Sequence, residues 1–260
     1  MSPDSRSLPH RAMRSYKLRW SIVARDVLVT VALTGLLWWT LRYVALAWVA
    51  QLNFWIGKTG LAGHAEVIPA NAADELALIP AFAVSALTTL PSLETWWITA
   101  FGCAAVWIAS VLLSKQRLPL IYTLRLLVFV QLSSLWFFYM WPDSIPTTVA
   151  AFLTDVFRQS AGLMLLIPSL FALTLYLFAL PWWAKIGATL SALLFLLLFV
   201  PLQAACEAWI LQTGGILFMP TLFLFFGLLP QVVALMGIYS FFLSLLPGDE
   251  ELSRRGSLKH

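Results

Sequence analysis

"LALIPAFAVSALTTL", Leu76–Leu90, decides how many times this chain crosses a membrane. The stretch is apolar but only fifteen residues long, whereas a helix needs about 20 apolar residues to cross roughly 30 Å of hydrocarbon. As a span it would reverse everything after it and carry Lys115 and Arg117 away from the basic N-terminal segment, against the rule that Lys and Arg gather on one side. The preceding "NAADE" offers Asn71 as an N-cap with Asp74 three residues later. The expected element is therefore a helix over 76–90 that is interfacial or re-entrant and does not cross.

Six longer apolar blocks flank it, at Val27–Val49, Thr95–Ser114, Pro119–Trp141, Ala161–Leu180, Ile186–Leu211 and Ile216–Leu246. The 260 residues are 61% hydrophobic and 11% charged, where a soluble domain carries about a quarter charged residues. The sequence predicts an all-α fold: a polytopic membrane helix bundle of about six transmembrane helices plus the outer interfacial or re-entrant helix.

With six crossings, every Lys and Arg lies on one side except Lys58, Arg158 and Arg42, the last inside a span. That side is read as cytoplasmic, at a bacterial-type inner membrane. The expected organisation is a basic cytoplasmic segment over 1–26, a six-helix domain over 27–246 with an outer segment at 50–94, and a cytoplasmic tail over 247–260. No short apolar region followed by a small-residue cleavage site opens the chain, so no cleaved signal peptide is expected. The net charge of +4 reflects this sorting and does not point to nucleic acid.

The turns are short. "QTGG", Gln212–Gly215, and "PWWAK", Pro181–Lys185, make neighbours of the helices they join. Pro142–Ser160 reads as a turn followed by a short amphipathic helix. The Trp96–Trp97 and Trp182–Trp183 pairs suit interfacial belts, whereas Trp38 and Trp39 lie deeper and are expected between helices.

Polar residues inside spans are costly and so are the first candidates for function. Gln203 and Glu207 are four apart on one helical face, with Cys206 beside them. Arg42 lies at a comparable depth in the first span. Arg42 and Glu207 either pair or snorkel separately to the headgroups. Gln131, Ser133, Ser134 and Gln231 complete the set, and Pro201, Pro220 and Pro230 free backbone carbonyls in their helices. Nearby side-chain amides are expected to satisfy those carbonyls. The alternative is a polar cavity between spans three, five and six.

Catalytic patterns are weak. A nucleophilic thiol needs a base or cation, and Glu207 beside Cys206 would oppose thiolate formation. There is no Gly-rich phosphate loop, HExxH, GxSxG or metal-ligand spacing, so no cofactor or metal is expected. Cys103 and Cys206 read as small hydrophobes. The leading expectation is an accessory or scaffold subunit of a cell-envelope assembly that makes or exports a surface polymer or lipid. Its partners would be the bilayer and other membrane subunits. The alternatives are a carrier or channel for a lipid-linked or amphipathic ligand, with a groove at Arg42, Gln203, Glu207 and Gln231, and an intramembrane enzyme using Cys206.

Overall fold

The computed structural model describes residues 20–68, 81–86, 91–141, 148–175 and 182–244. It is an all-α membrane bundle whose six helical segments are each long and apolar enough to cross a bilayer. They are α1 (Trp20–Thr59), α2 (Leu93–Leu112), α3 (Leu118–Met140), α4 (Val149–Leu175), α5 (Trp182–Gly214) and a broken sixth span, Ile216–Ser244.

Local sequence sets the ends of these elements. Gly60, with φ of 67°, follows α1, and Leu61 N–H donates back to the Ile56 carbonyl at 3.2 Å. A left-handed residue just past a helix end allows that bond, and glycine takes the conformation without strain. Ser92 caps α2 by accepting from Thr95 N–H at 3.1 Å. Thr148 does the same for α4, accepting from Ala151 N–H at 3.2 Å. Pro119 sits in the first turn of α3, where its missing N–H costs nothing.

α1 runs 40 residues, roughly 60 Å at 1.5 Å per residue, well beyond the block from Val27 to Val49. α4 likewise begins at Val149 and absorbs the amphipathic stretch expected to stand apart from the fourth span. Val149, Phe152, Leu153, Val156, Phe157 and Ala161 are all buried at three- and four-residue intervals. That stripe runs straight on into the span, so nothing interrupts the helix.

The residues fall into two compact units. Among the described residues, one draws on 20–39, 165–175, 182–193 and 236–244, the other on 40–68, 81–86, 91–141, 148–164 and 194–235. In the first, Phe171 lies against Tyr239 at 6.0 Å between ring centroids. The second has its core where Trp48 and Leu52 of α1 meet Leu153 and Phe157 of α4 and Leu196 and Leu211 of α5, all fully buried. The Trp48 and Phe157 rings sit 5.7 Å apart. In this unit α2 packs along α3 through the face bearing Thr99, Cys103 and Ser110 and exposes Trp97, Phe101 and Trp107.

Two expectations are overturned. Ala81–Ala86, in the middle of the expected 76–90 helix, is a β-strand (β2) paired antiparallel with β1, Gly63–Ile68, in the register Gly63↔Ala86 to Ile68↔Ala81. The rest of that stretch and its proposed cap, Asn71, lie outside the described residues. Pro80 stands one turn inside the expected helix, where it removes a hydrogen bond and clashes with the preceding turn. The residues after it have an alternating partner strand available. The second correction concerns Trp38 and Trp39, which are exposed and not packed between helices. The buried stripe of α1 runs through Leu41, Ala45, Trp48, Leu52 and Ile56 and leaves both tryptophans off it.

Candidate functional site

Each of three prolines within spans of the second unit leaves a carbonyl without a backbone donor, and each such carbonyl has an amide side chain from another helix. Pro201 follows Leu197 by four residues and cannot donate to it. Gln51 Nε2 of α1 donates to the Leu197 carbonyl instead, at 3.3 Å. The sixth span opens with a 3₁₀ turn, Ile216–Phe218, in which the residue three beyond Leu217 is Pro220. Gln131 Nε2 and Ser134 Oγ of α3 both donate to the Leu217 carbonyl, at 3.1 and 2.7 Å. Thr221 Oγ1 then donates to Gln131 Oε1 at 2.6 Å.

The third break is the largest. Leu222–Phe226 widens into a π-helical turn, Gly227 bends the chain, and Leu228–Ser244 resumes as α-helix. A Cβ on Gly227 would collide with the Phe223 carbonyl oxygen, so only glycine fits that bend. Pro230 is four residues beyond Phe226 and offers it no N–H. Gln203 Nε2 of α5 donates to the Phe226 carbonyl and to that of Gly227 at 3.0 Å.

Around Gln203 the expected residues assemble in part. Its Nε2 also faces Glu207 Oε1 at 2.9 Å, one turn along α5. Gln231 Nε2 donates to Gln203 Oε1 at 3.0 Å and to Ser160 Oγ of α4 at 2.8 Å. Ser160 in turn donates to the Val156 carbonyl at 2.8 Å. Gln203, Glu207, Gln231 and Ser160 are all buried. Two acceptors in this cluster, Glu207 Oε2 and Gln231 Oε1, have no hydrogen-bond partner among the described residues.

The other expected members stand elsewhere. Arg42 is exposed, and no described ion pair joins it to Glu207. Glu207 does not snorkel either, since it is only 1% exposed and points into the bundle. Cys206 is exposed, turned about 100° around α5 from the buried Glu207. It has no base from this cluster. Cys103 is buried, and both thiols are free. Gln131 belongs to the Pro220 break, with Ser134. A cavity of about 300 Å³ beside that break is lined by Ser133, Ser134, Phe137, Phe138, Ile216, Met219 and Pro220. It does not include Gln203, Glu207 or Gln231. No cluster of three His, Cys, Asp or Glu able to hold a metal occurs among the described residues.

Sequence reasoning overlooked Gln51, Asn53 and Gln212. Asn53 grips the hairpin from α1, donating to the Ala65 carbonyl and accepting from its N–H, both at 2.8 Å. Gln212 of α5 binds Ala62 in the same two-way fashion, at 2.6 and 3.2 Å. Their signal was an amide near each helix end adjoining an irregular segment. No protein-family model, curated protein or solved structure matches this chain.

Proposed function

We propose that the protein is a non-catalytic scaffold subunit of a membrane assembly. The observation that carries this reading is the use made of its buried amides. Gln51, Gln131 and Gln203 are each engaged with a carbonyl that a proline leaves open, those of Leu197, Leu217 and Phe226. Polar groups arranged in this way fix helix positions, whereas a permeation path needs them directed at a passing solute. The exposed aromatic face of α2 is available to lipid or to another subunit.

The partners proposed are other integral subunits of a cell-envelope assembly that makes or exports a surface polymer or lipid. The setting proposed is a bacterial-type inner membrane, with both termini cytoplasmic. The sorting of Lys and Arg along the sequence supports that orientation.

Isolation from native membranes in a mild detergent tests the reading, paired with a flux assay in proteoliposomes. Stoichiometric recovery with other integral subunits, together with no movement of a fluorescent amphipath across the vesicle, is the expected result. A lone protein that moves the amphipath would replace the scaffold by the carrier. A lone protein that moves nothing would also end the scaffold reading.

A further inference from the structure

The first unit holds a groove of about 280 Å³, near the ~300 Å³ lower end of small-ligand sites. α1, α4 and α5 form its walls. Val29, Leu33 and Phe171 line it as apolar residues, and Arg25 and Lys185 as cations. Lys185 stands in the first turn of the 33-residue α5, where the helix dipole adds positive potential. Trp182 completes the rim, a residue type that settles at headgroup level.

This pairing of apolar trough and cationic rim matches a molecule with an anionic head and a hydrocarbon tail. We propose that the groove is a binding site for one anionic phospholipid. The phosphate lies against Arg25 and Lys185, and an acyl chain runs along Val29, Leu33 and Phe171. Basic pockets between transmembrane helices recognise headgroups through this charge complementarity. The proposal goes beyond the scaffold reading and does not depend on it, since a bound lipid suits a scaffold as well as a carrier.

The test is native mass spectrometry of the full-length protein with phosphatidylglycerol and with phosphatidylcholine of the same chains. A basic residue near the headgroups contributes about fivefold, so two predict a preference of roughly 30-fold for the anionic lipid. The R25Q/K185Q variant should reduce that preference to a few-fold. R14Q/K17Q removes the same charge from the N-terminal segment and should retain it. Leu33→Trp should obstruct the tail and weaken both lipids with the cations intact. Glycerol phosphate, which has the head without the tail, should not displace bound lipid.

Several outcomes overturn the site: no preference in the parent protein, a preference undiminished in R25Q/K185Q, or an equal loss in R14Q/K17Q. Displacement by glycerol phosphate would reduce it to a phosphate site and overturn the lipid assignment. Should circular dichroism show R25Q/K185Q unfolded, the single R25Q and Leu33→Trp variants decide by the same ratios.

Discussion

Gln203 donates from α5 to the carbonyl of Phe226, the acceptor that Pro230 leaves without a backbone partner. One amide thereby compensates for a proline 27 positions away in the sequence. Hydrogen bonds between transmembrane helices average about 0.6 kcal/mol and reach about 1.7. A buried carbonyl stripped of its donor costs about 1–3 kcal/mol. Gln203→Leu removes every donor of that amide at once and should destabilise the protein by about 2 kcal/mol. Pro230→Ala restores an N–H at the right spacing, so in its background the same substitution should cost about 1 kcal/mol less. A double-mutant cycle by thermal unfolding in one detergent measures the difference, and strict additivity would contradict the compensation.

The amides that serve the three prolines differ in burial and should differ in energy. Gln131 is buried and holds both the Leu217 carbonyl and the Thr221 hydroxyl. Gln51 is half-buried and makes a single bond of 3.3 Å. Gln131→Leu should therefore cost about 2 kcal/mol and Gln51→Leu about 0.5 kcal/mol. Unfolding midpoints of the two variants, taken in the same detergent, give the ranking. The reverse order would mean that Ser134 alone suffices for Leu217.

How much of this was legible beforehand depended on the length of the pattern. Spans are long apolar runs bounded by charge, so six could be counted without coordinates. The expectation that amides serve carbonyls freed by proline also needed only helix spacing. Which amide serves which proline is a matter of helix neighbours, and Gln51 with Leu197 lies 146 positions apart. The hairpin was not legible because apolarity over fifteen residues does not separate helix from strand. Pro80 was the available discriminator. The supposed Arg42–Glu207 pair failed because equal depth says nothing about which way two side chains face.

That failed pair has a measurable consequence. Arg42 is exposed, and Glu207 Oε1 is held by Gln203. Independent sites add within about 0.5 kcal/mol, so Arg42→Gln and Glu207→Gln should combine without coupling. Glu207→Leu also removes the buried oxygen that lacks a partner. Replacing a poorly satisfied buried polar group by an apolar one is often neutral or stabilising, so this variant should lie within about 1 kcal/mol of the parent or above it. Thermal unfolding of the parent, the two single variants, their combination and Glu207→Leu settles both points. Coupling well above 1 kcal/mol would restore the ion pair.

Gly227 has the narrowest tolerance in the sixth span. A Cβ there meets the Phe223 carbonyl, which belongs to the backbone and cannot rotate away as a side-chain tip would. Gly227→Ala should force the π-helical turn to shift, at about 1–3 kcal/mol. Gly35, with nothing near its Cβ position, is the control. Gly35→Ala lies inside α1 and should stabilise by up to about 1 kcal/mol, through helix propensity. Unfolding midpoints that move the two variants in the same direction would contradict the packing described at the bend.

The hairpin is tied to the helices by two amides that each exchange a pair of hydrogen bonds with its backbone, Asn53 with Ala65 and Gln212 with Ala62. An isolated two-stranded hairpin is marginal in water, so its order should depend on these anchors more than on strand pairing. Asn53→Leu with Gln212→Leu should abolish amide-exchange protection over Gly63–Ile68 and Ala81–Ala86. α3 and α5, whose hydrogen bonds are internal to the helices, should keep theirs. Hydrogen–deuterium exchange read by peptide mass resolves the two regions separately. Retained protection of the strands in the double variant would show that the hairpin is held by something other than these amides, and loss across α5 as well would show that the anchors also support the helix.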